Sequence, residues 1–413
     1  MVNRRSPRLD VFRRVLQHPA RGRGLISDPR EDCGLQRRRF CLTIVQGLVG
    51  IAEGVFLLGC SPPGRVGSTI GSVSESVEPE AVRSVMTRVA DSQLERPAEY
   101  PPYDWIVAPF WVGLLTFAPL SRTPARYLES ARANGRRNGW QPGPEPFLAD
   151  DLAITQSYFL LYAVDRDRAE IAPALARFDA LLGERFDESL EFSHDTALRE
   201  WVWCDALFMA PPALALASHA TGDPRYRELM QRLWWKTTDF LYDRETRLYY
   251  RDSRFFGQRE RNGAKVFWSR GNGWVLAGLA RVLQYFPPYD PGRGRFEALF
   301  RAMAAKVAAL QRPNGYWCAS LLDPDSWPTP ETSGTAFFTY ALAWGVNEGL
   351  LELGRYDSAV RKGWAALVRA VQPDGRLGYV QRPGDRPAGT EPDHGAFLLA
   401  GSEVYRLAVR AGQ

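Results

Sequence analysis

Histidine and cysteine are scarce in this chain, with four His and five Cys among 413 residues. His194, His219 and His394 are the only histidines past the first stretch of the chain, and they lie far apart. No HExxH, no CxxC and no clustered ligand set exists, so neither a protein-bound catalytic metal nor another cofactor is expected. Only Cys204 and Cys318 fall in the part that reads as folded, which argues against a disulfide framework. A basic surface is also missing, although the formal net charge is +5. Residues 1–39 hold eleven Arg against four acidic residues, so the remainder sums to about −2. Without a basic stripe, nucleic acid is not expected as a partner. What the chain has in plenty is apolar and aromatic: 45% hydrophobic residues and 13 Trp. That supports a large core, and Trp in such numbers also suits a groove that stacks on ring-shaped ligands.

The first 60 residues read as an address. Arg37-Arg38-Arg39-Phe40 resembles a twin-arginine export pattern. A mostly apolar run follows and ends in Leu57-Leu58-Gly59-Cys60, which looks like a bacterial lipobox with Cys60 as the lipidated residue. Glu53 and several Gly make the run a poor transmembrane span. Residues 61–78 are rich in Gly, Ser and Pro and read as a tether, leaving 79–413 as the catalytic domain. An exported protein, periplasmic or membrane-anchored, is expected.

The body has a helical period with few alternating strands. Asp223-Pro224 predicts a capped helix over 225–242, and Ala210-Pro211-Pro212 opens another that closes at Thr221-Gly222. Further helices are predicted over 273–284, 295–311, 333–351, 356–371 and 395–409. Asn314-Gly315 and Asp374-Gly375 are Asx-Gly turns in connections that start at Leu310 and Val371, about 61 residues apart, each following an Ala-rich helix. The pattern predicts an all-α domain of helical hairpins closed into a ring, with an open solenoid as the alternative.

Three places could carry chemistry. Asp205 lies in Trp201-Val-Trp-Cys-Asp-Ala-Leu-Phe-Met209, where lost hydration would raise its pKa towards that of a general acid. An Asp before a helix is more often an N-cap. Asp150-Asp151 is a second acidic candidate, and one of the pair facing Asp205 would divide acid and base roles. Trp268-Ser-Arg-Gly-Asn-Gly-Trp274 reads as a Gly-rich loop in which Arg270 offers a carboxylate-matching fork and Trp268 and Trp274 offer stacking faces.

Together these strings resemble the unsaturated rhamnogalacturonyl hydrolases (glycoside hydrolase family 105) and the related unsaturated glucuronyl hydrolases (family 88), over roughly residues 85–410. Glu331-Thr-Ser-Gly-Thr335 adds to the likeness. The resemblance implies an (α/α)6 barrel and a hydrolase that removes a terminal 4,5-unsaturated uronic acid from lyase products by hydrating the C4=C5 bond. It implies Asp205 as the acid/base and Asp150 as the second carboxylate. It also implies that His194, Trp268, Arg270, Trp274, Tyr103 and Trp105 contact the sugar. Relatives often carry another His about twenty residues before the Trp-x-Arg string, and here residues 246–252 hold none, which touches selectivity beyond the uronate. Two rival readings stand beside this one. An inverting glycosidase would use Asp150 and Asp205 roughly 6.5–9.5 Å apart, and a non-catalytic oligosaccharide-binding lipoprotein would need neither carboxylate.

Overall fold

Proline in the first two positions marks where six of the helices begin. The computed structural model describes residues 74–380 and 394–412, so the export segment, Cys60 and most of the tether lie outside the described residues. The first helix, α1, starts at Pro79 (Pro79–Glu95), followed by α2 (Ala108–Phe117), α3 (Pro124–Arg137), α4 (Thr155–Asp165) and α5 (Ala172–Leu182). Two single-turn helices, α6 (His194–Ala197) and α7 (Ala206–Met209), precede α8 (Pro211–Thr221) and α9 (Pro224–Leu241). The series continues with α10 (Ser269–Tyr285), α11 (Arg293–Ala309), α12 (Thr332–Asn347), α13 (Leu353–Ala370) and α14 (His394–Ala411). At α9 the Asp223 carboxylate accepts from the Arg225 amide at 2.9 Å, and Pro224 sits at the first helical position. At the end of α8, Gly222 takes φ 79°, the left-handed C-cap that glycine adopts without penalty.

Six helices form a closed inner ring. Helix α2 packs on α4, α4 on α8, α8 on α10, α10 on α12, α12 on α14, and α14 returns to α2. The open solenoid is thereby excluded and the hairpin barrel is found. Inner helices are buried almost all round, as α12 is from Thr332 to Gly345. The outer helices α1, α3, α5, α9, α11 and α13 bury one stripe each, such as Tyr226, Leu229, Met230, Leu233 and Trp234 on α9.

The two Asx-Gly turns are structural repeats. Each follows an outer helix, with Gly315 at φ 89° and Gly375 at φ 85°. In both, the glycine amide donates to a carbonyl three residues back, Arg312 or Gln372, at 2.9 Å.

The helix expected to begin at Gly273 begins four residues earlier, at Ser269. Its glycines serve close packing between helices, with no left-handed conformation involved. A Cβ on Gly273 would lie 3.0 Å from Phe337 Cβ, and one on Gly271 would lie 3.0 Å from Cys204 Sγ. The only strands among the described residues are two-residue pairs, β1 (Tyr242–Asp243) with β2 (Leu248–Tyr249), and β3 (Trp317–Cys318) with β4 (Pro330–Glu331).

Candidate active site

All the candidate residues but Trp274 fall in connections that run from an outer helix into the N-terminus of an inner one, or in the first turn of that inner helix. Tyr103 and Trp105 precede α2, Asp150 precedes α4, His194 and Asp205 precede α8, and Trp268 and Arg270 open α10. Closing the ring gathers these connections at one end. The inner helices' unsatisfied amides point the same way, which favours negative charge there.

Asp205 stands at the N-cap position of α7, yet its side chain makes no capping hydrogen bond. Its Oδ2 accepts from the Cys204 thiol at 3.4 Å. Burial pushes the Asp205 carboxyl up, while the guanidiniums of Arg251 and Arg270 pull the other way. The N-cap explanation therefore fails for this residue.

The two adjacent acids before α4 divide their work. Asp151 holds a turn: its Oδ2 accepts from the Glu145 amide at 2.6 Å, and its carbonyl accepts from Gly143 at 2.7 Å. Asp150 is raised to about 8, first by burial and next by the Asp205 carboxylate, with Arg251 opposing. Asp150 is thus the member of the pair that senses Asp205.

Trp268 and Arg270 lie together. The Arg270 guanidinium sits over the Trp268 ring at 4.7 Å from its centroid, and that of Arg251 at 5.8 Å. Arg270 is only 4% exposed.

Trp274 departs from expectation. It is 2% exposed and wedged between Phe337 and Phe208, with ring centroids 4.2 and 4.7 Å away. The helical start at Ser269 turns residue 274 into the core, so it packs the barrel and does not present a face to a sugar. Tyr103 and Trp105 are half-buried at the head of α2, and His194 is exposed at the first position of α6.

Two groups at the site were not singled out from the sequence. Asp104, between Tyr103 and Trp105, is raised by burial and itself raises Asp150. Arg251 follows the β1–β2 hairpin, and its carbonyl accepts from the Cys204 amide at 2.9 Å, which fixes it beside Asp205. An acid between two aromatics, and an Arg in the stretch that lacks the expected His, were the available hints. Among the described residues no group of three or more His, Cys, Asp or Glu could hold a metal ion.

The model of Glycosyl Hydrolase Family 88 matches residues 79–408. An unsaturated 3S-rhamnoglycuronyl hydrolase of Formosa agariphila is 39% identical over 324 residues, covering 74% of this chain and 85% of its own. A protein of the same name from an Alteromonas species is 38% identical over 319 residues, covering 73% of this chain and 77% of its own. Among solved structures, a glycosyl hydrolase family 88 protein from Bacteroides vulgatus superposes with a TM-score of 0.72 at 32% identity, covering 80% of this chain and 99% of its own.

Proposed function

The chain belongs to glycosyl hydrolase family 88, and with that as premise we propose how its residues perform the reaction. It is a hydrolase that removes a terminal unsaturated uronic acid from oligosaccharides. The proposed substrate is a short lyase product in which that uronate is linked to rhamnose, as the names of the relatives suggest.

Asp205 protonates C4 of the C4=C5 bond, and positive charge develops at C5 and the ring oxygen. The resulting carboxylate takes a proton from the water that adds to C5. The hemiketal so formed opens and releases the neighbouring sugar, and Asp205 ends protonated again. Its raised pKa suits the first step and its ionised form the second. Asp150, held near 8, stays protonated at neutral pH and can donate a hydrogen bond to the sugar. Trp268 supplies a stacking face and Arg270 neighbouring positive charge, while His194, Tyr103 and Trp105 are outer sugar contacts. The observation that carries this reading is the pair of half-buried carboxyls, both raised by desolvation and one raised further by the other, beside two guanidiniums and one indole.

The test follows the ultraviolet absorbance of the double bond with unsaturated rhamnogalacturonyl and rhamnoglycuronyl disaccharides. Absorbance is expected to fall with wild type and to persist with Asp205→Asn. Persistence with wild type on both substrates would sink the reading.

Export with a lipid anchor at Cys60 is proposed from the Arg37–Arg39 and Leu57–Cys60 strings. Incorporation of labelled palmitate into wild type, and none into Cys60→Ala, is the expected result. Equal labelling of the two would refute it.

A further inference from the structure

Arg251 is more exposed than Arg270, and the reaction above uses only its charge beside the carboxyls, not its hydrogen-bond donors. Its stem is fixed, because the β1–β2 hairpin delivers it and its carbonyl is bonded to the Cys204 amide one residue from Asp205. Its side chain keeps 38% of its exposure and lies over Trp268. The adjacent Asp252 is fully buried, but it is committed elsewhere. Its two oxygens accept from Arg254 Nε and Nη2, both at 2.8 Å. Arg251 Nη1 stays 3.6 Å from Asp252 Oδ2, beyond hydrogen-bond range. Among the described residues the Arg251 guanidinium donates no hydrogen bond. A planar fork of donors is thus held at the pocket, partly open, ion-paired to Asp252 only at 3.6 Å and donating no hydrogen bond, while Arg270 is buried against the same indole.

We propose that Arg251 receives an oxyanion of the bound oligosaccharide and is a specificity-determining residue, standing in the stretch where related chains often carry a histidine. The fork geometry matches a carboxylate or a sulfate in two places at once. Two groups on such a substrate have that chemistry: the uronate's own carboxylate, attached at the C5 that water attacks, and a sulfate ester on the adjoining sugar. A substrate lacking the matching oxyanion would displace water from the guanidinium and leave its donors unpaired, which is costly in a site closed by sugar.

This proposal rests on the reaction described above, and the test separates the two. Wild type, Arg251→Gln and Arg251→Lys are compared on three disaccharides: one sulfated next to the uronate, its desulfated form, and its uronate methyl ester. In Arg251→Gln, KM should rise about tenfold or more on substrates carrying the oxyanion and clearly less on the one that lacks it, any change in kcat from the neighbouring carboxyls being common to all three, and Arg251→Lys should restore part of the loss. A penalty that vanishes on the desulfated sugar identifies the sulfate as the ligand, and one that vanishes on the methyl ester identifies the carboxylate. A KM that is unchanged on all three, or that rises equally on all three, would overturn the proposal, because Arg251 would then act only on the neighbouring carboxyls. If wild type turns over none of them, the reaction fails, and calorimetric titration decides Arg251 independently. Binding of a saturated glucuronyl disaccharide or inorganic sulfate to wild type, lost in Arg251→Gln, supports it; indistinguishable titrations of the two proteins refute it.

Discussion

Asp150 and Asp205 lie in different hairpins of the barrel, yet after burial the Asp205 carboxylate is the largest influence raising Asp150, to about 8. Two carboxyls that each lose hydration and also repel each other do not both ionise near neutral pH. Burial raises Asp205 too, so it can hold the proton that C4 needs, while Arg251 and Arg270 favour its charge once that proton has left.

Asp205→Asn should reduce kcat by about 10²–10⁴-fold, the range for a lost general acid/base. Stability should hold or rise, since the side chain caps nothing and its desolvated charge is removed. Steady-state assay and thermal unfolding on one preparation check both halves. A variant that is inactive and also melts far below wild type would place Asp205 in the structure and not in the chemistry.

Asp150→Asn tests the raised carboxyl through pH. In the folded chain Asp150 keeps its proton up to about 8. Unfolded, it releases that proton near the ordinary value of about 4. The folded state therefore binds more protons between those values, so wild-type stability falls as pH rises through that window. Asparagine cannot titrate. The variant should gain on wild type by about 1 kcal/mol or more between pH 5 and pH 8. Urea midpoints at the two pH values measure the gap, and a constant gap would contradict the raised pKa.

Much of the barrel was legible because its signals are local. Asp223-Pro224 carries its cap within three residues, and Gly222, Gly315 and Gly375 take the left-handed turns that their local strings announce. Asp205 and Asp150 were legible as candidates through their apolar or acidic neighbours. What the local string could not carry is ring closure. Arg251 and Asp104 acquire their surroundings only when hairpins distant in sequence meet. The 268–274 string misled for a related reason. Its glycines answer to the partners Cys204 and Phe337 across the interface, so the same residues that suggest a loop form the first turns of a helix.

Gly278 shows how tightly that interface is drawn. A Cβ there would lie 2.3 Å from the Leu207 carbonyl oxygen in α7, the turn that directly follows Asp205. Backbone cannot swing aside as a side chain can. Gly278→Ala should cost about 1–3 kcal/mol in overpacking and also lower activity by shifting Asp205. Denaturant unfolding and the absorbance assay read the two effects. An alanine variant as stable as wild type would show that α7 and α10 are not in register as described.

Trp268 and Trp274, six positions apart in one string, should separate cleanly on substitution. Trp274 is buried between Phe208 and Phe337, so Trp274→Ala opens a large apolar cavity and should cost about 3–5 kcal/mol. Trp268 is half-buried and shares its ring with Arg251 and Arg270. Removing it takes away the stacking face and frees two guanidiniums near the carboxyls. Trp268→Ala should therefore raise KM several-fold while losing less stability than Trp274→Ala, the difference being on the order of 1–2 kcal/mol. Thermal unfolding with steady-state kinetics on both variants distinguishes them. If Trp274→Ala changed KM at unaltered stability, the helical start at Ser269 would be wrong, and the string would be the sugar-lining loop that its glycines first suggest.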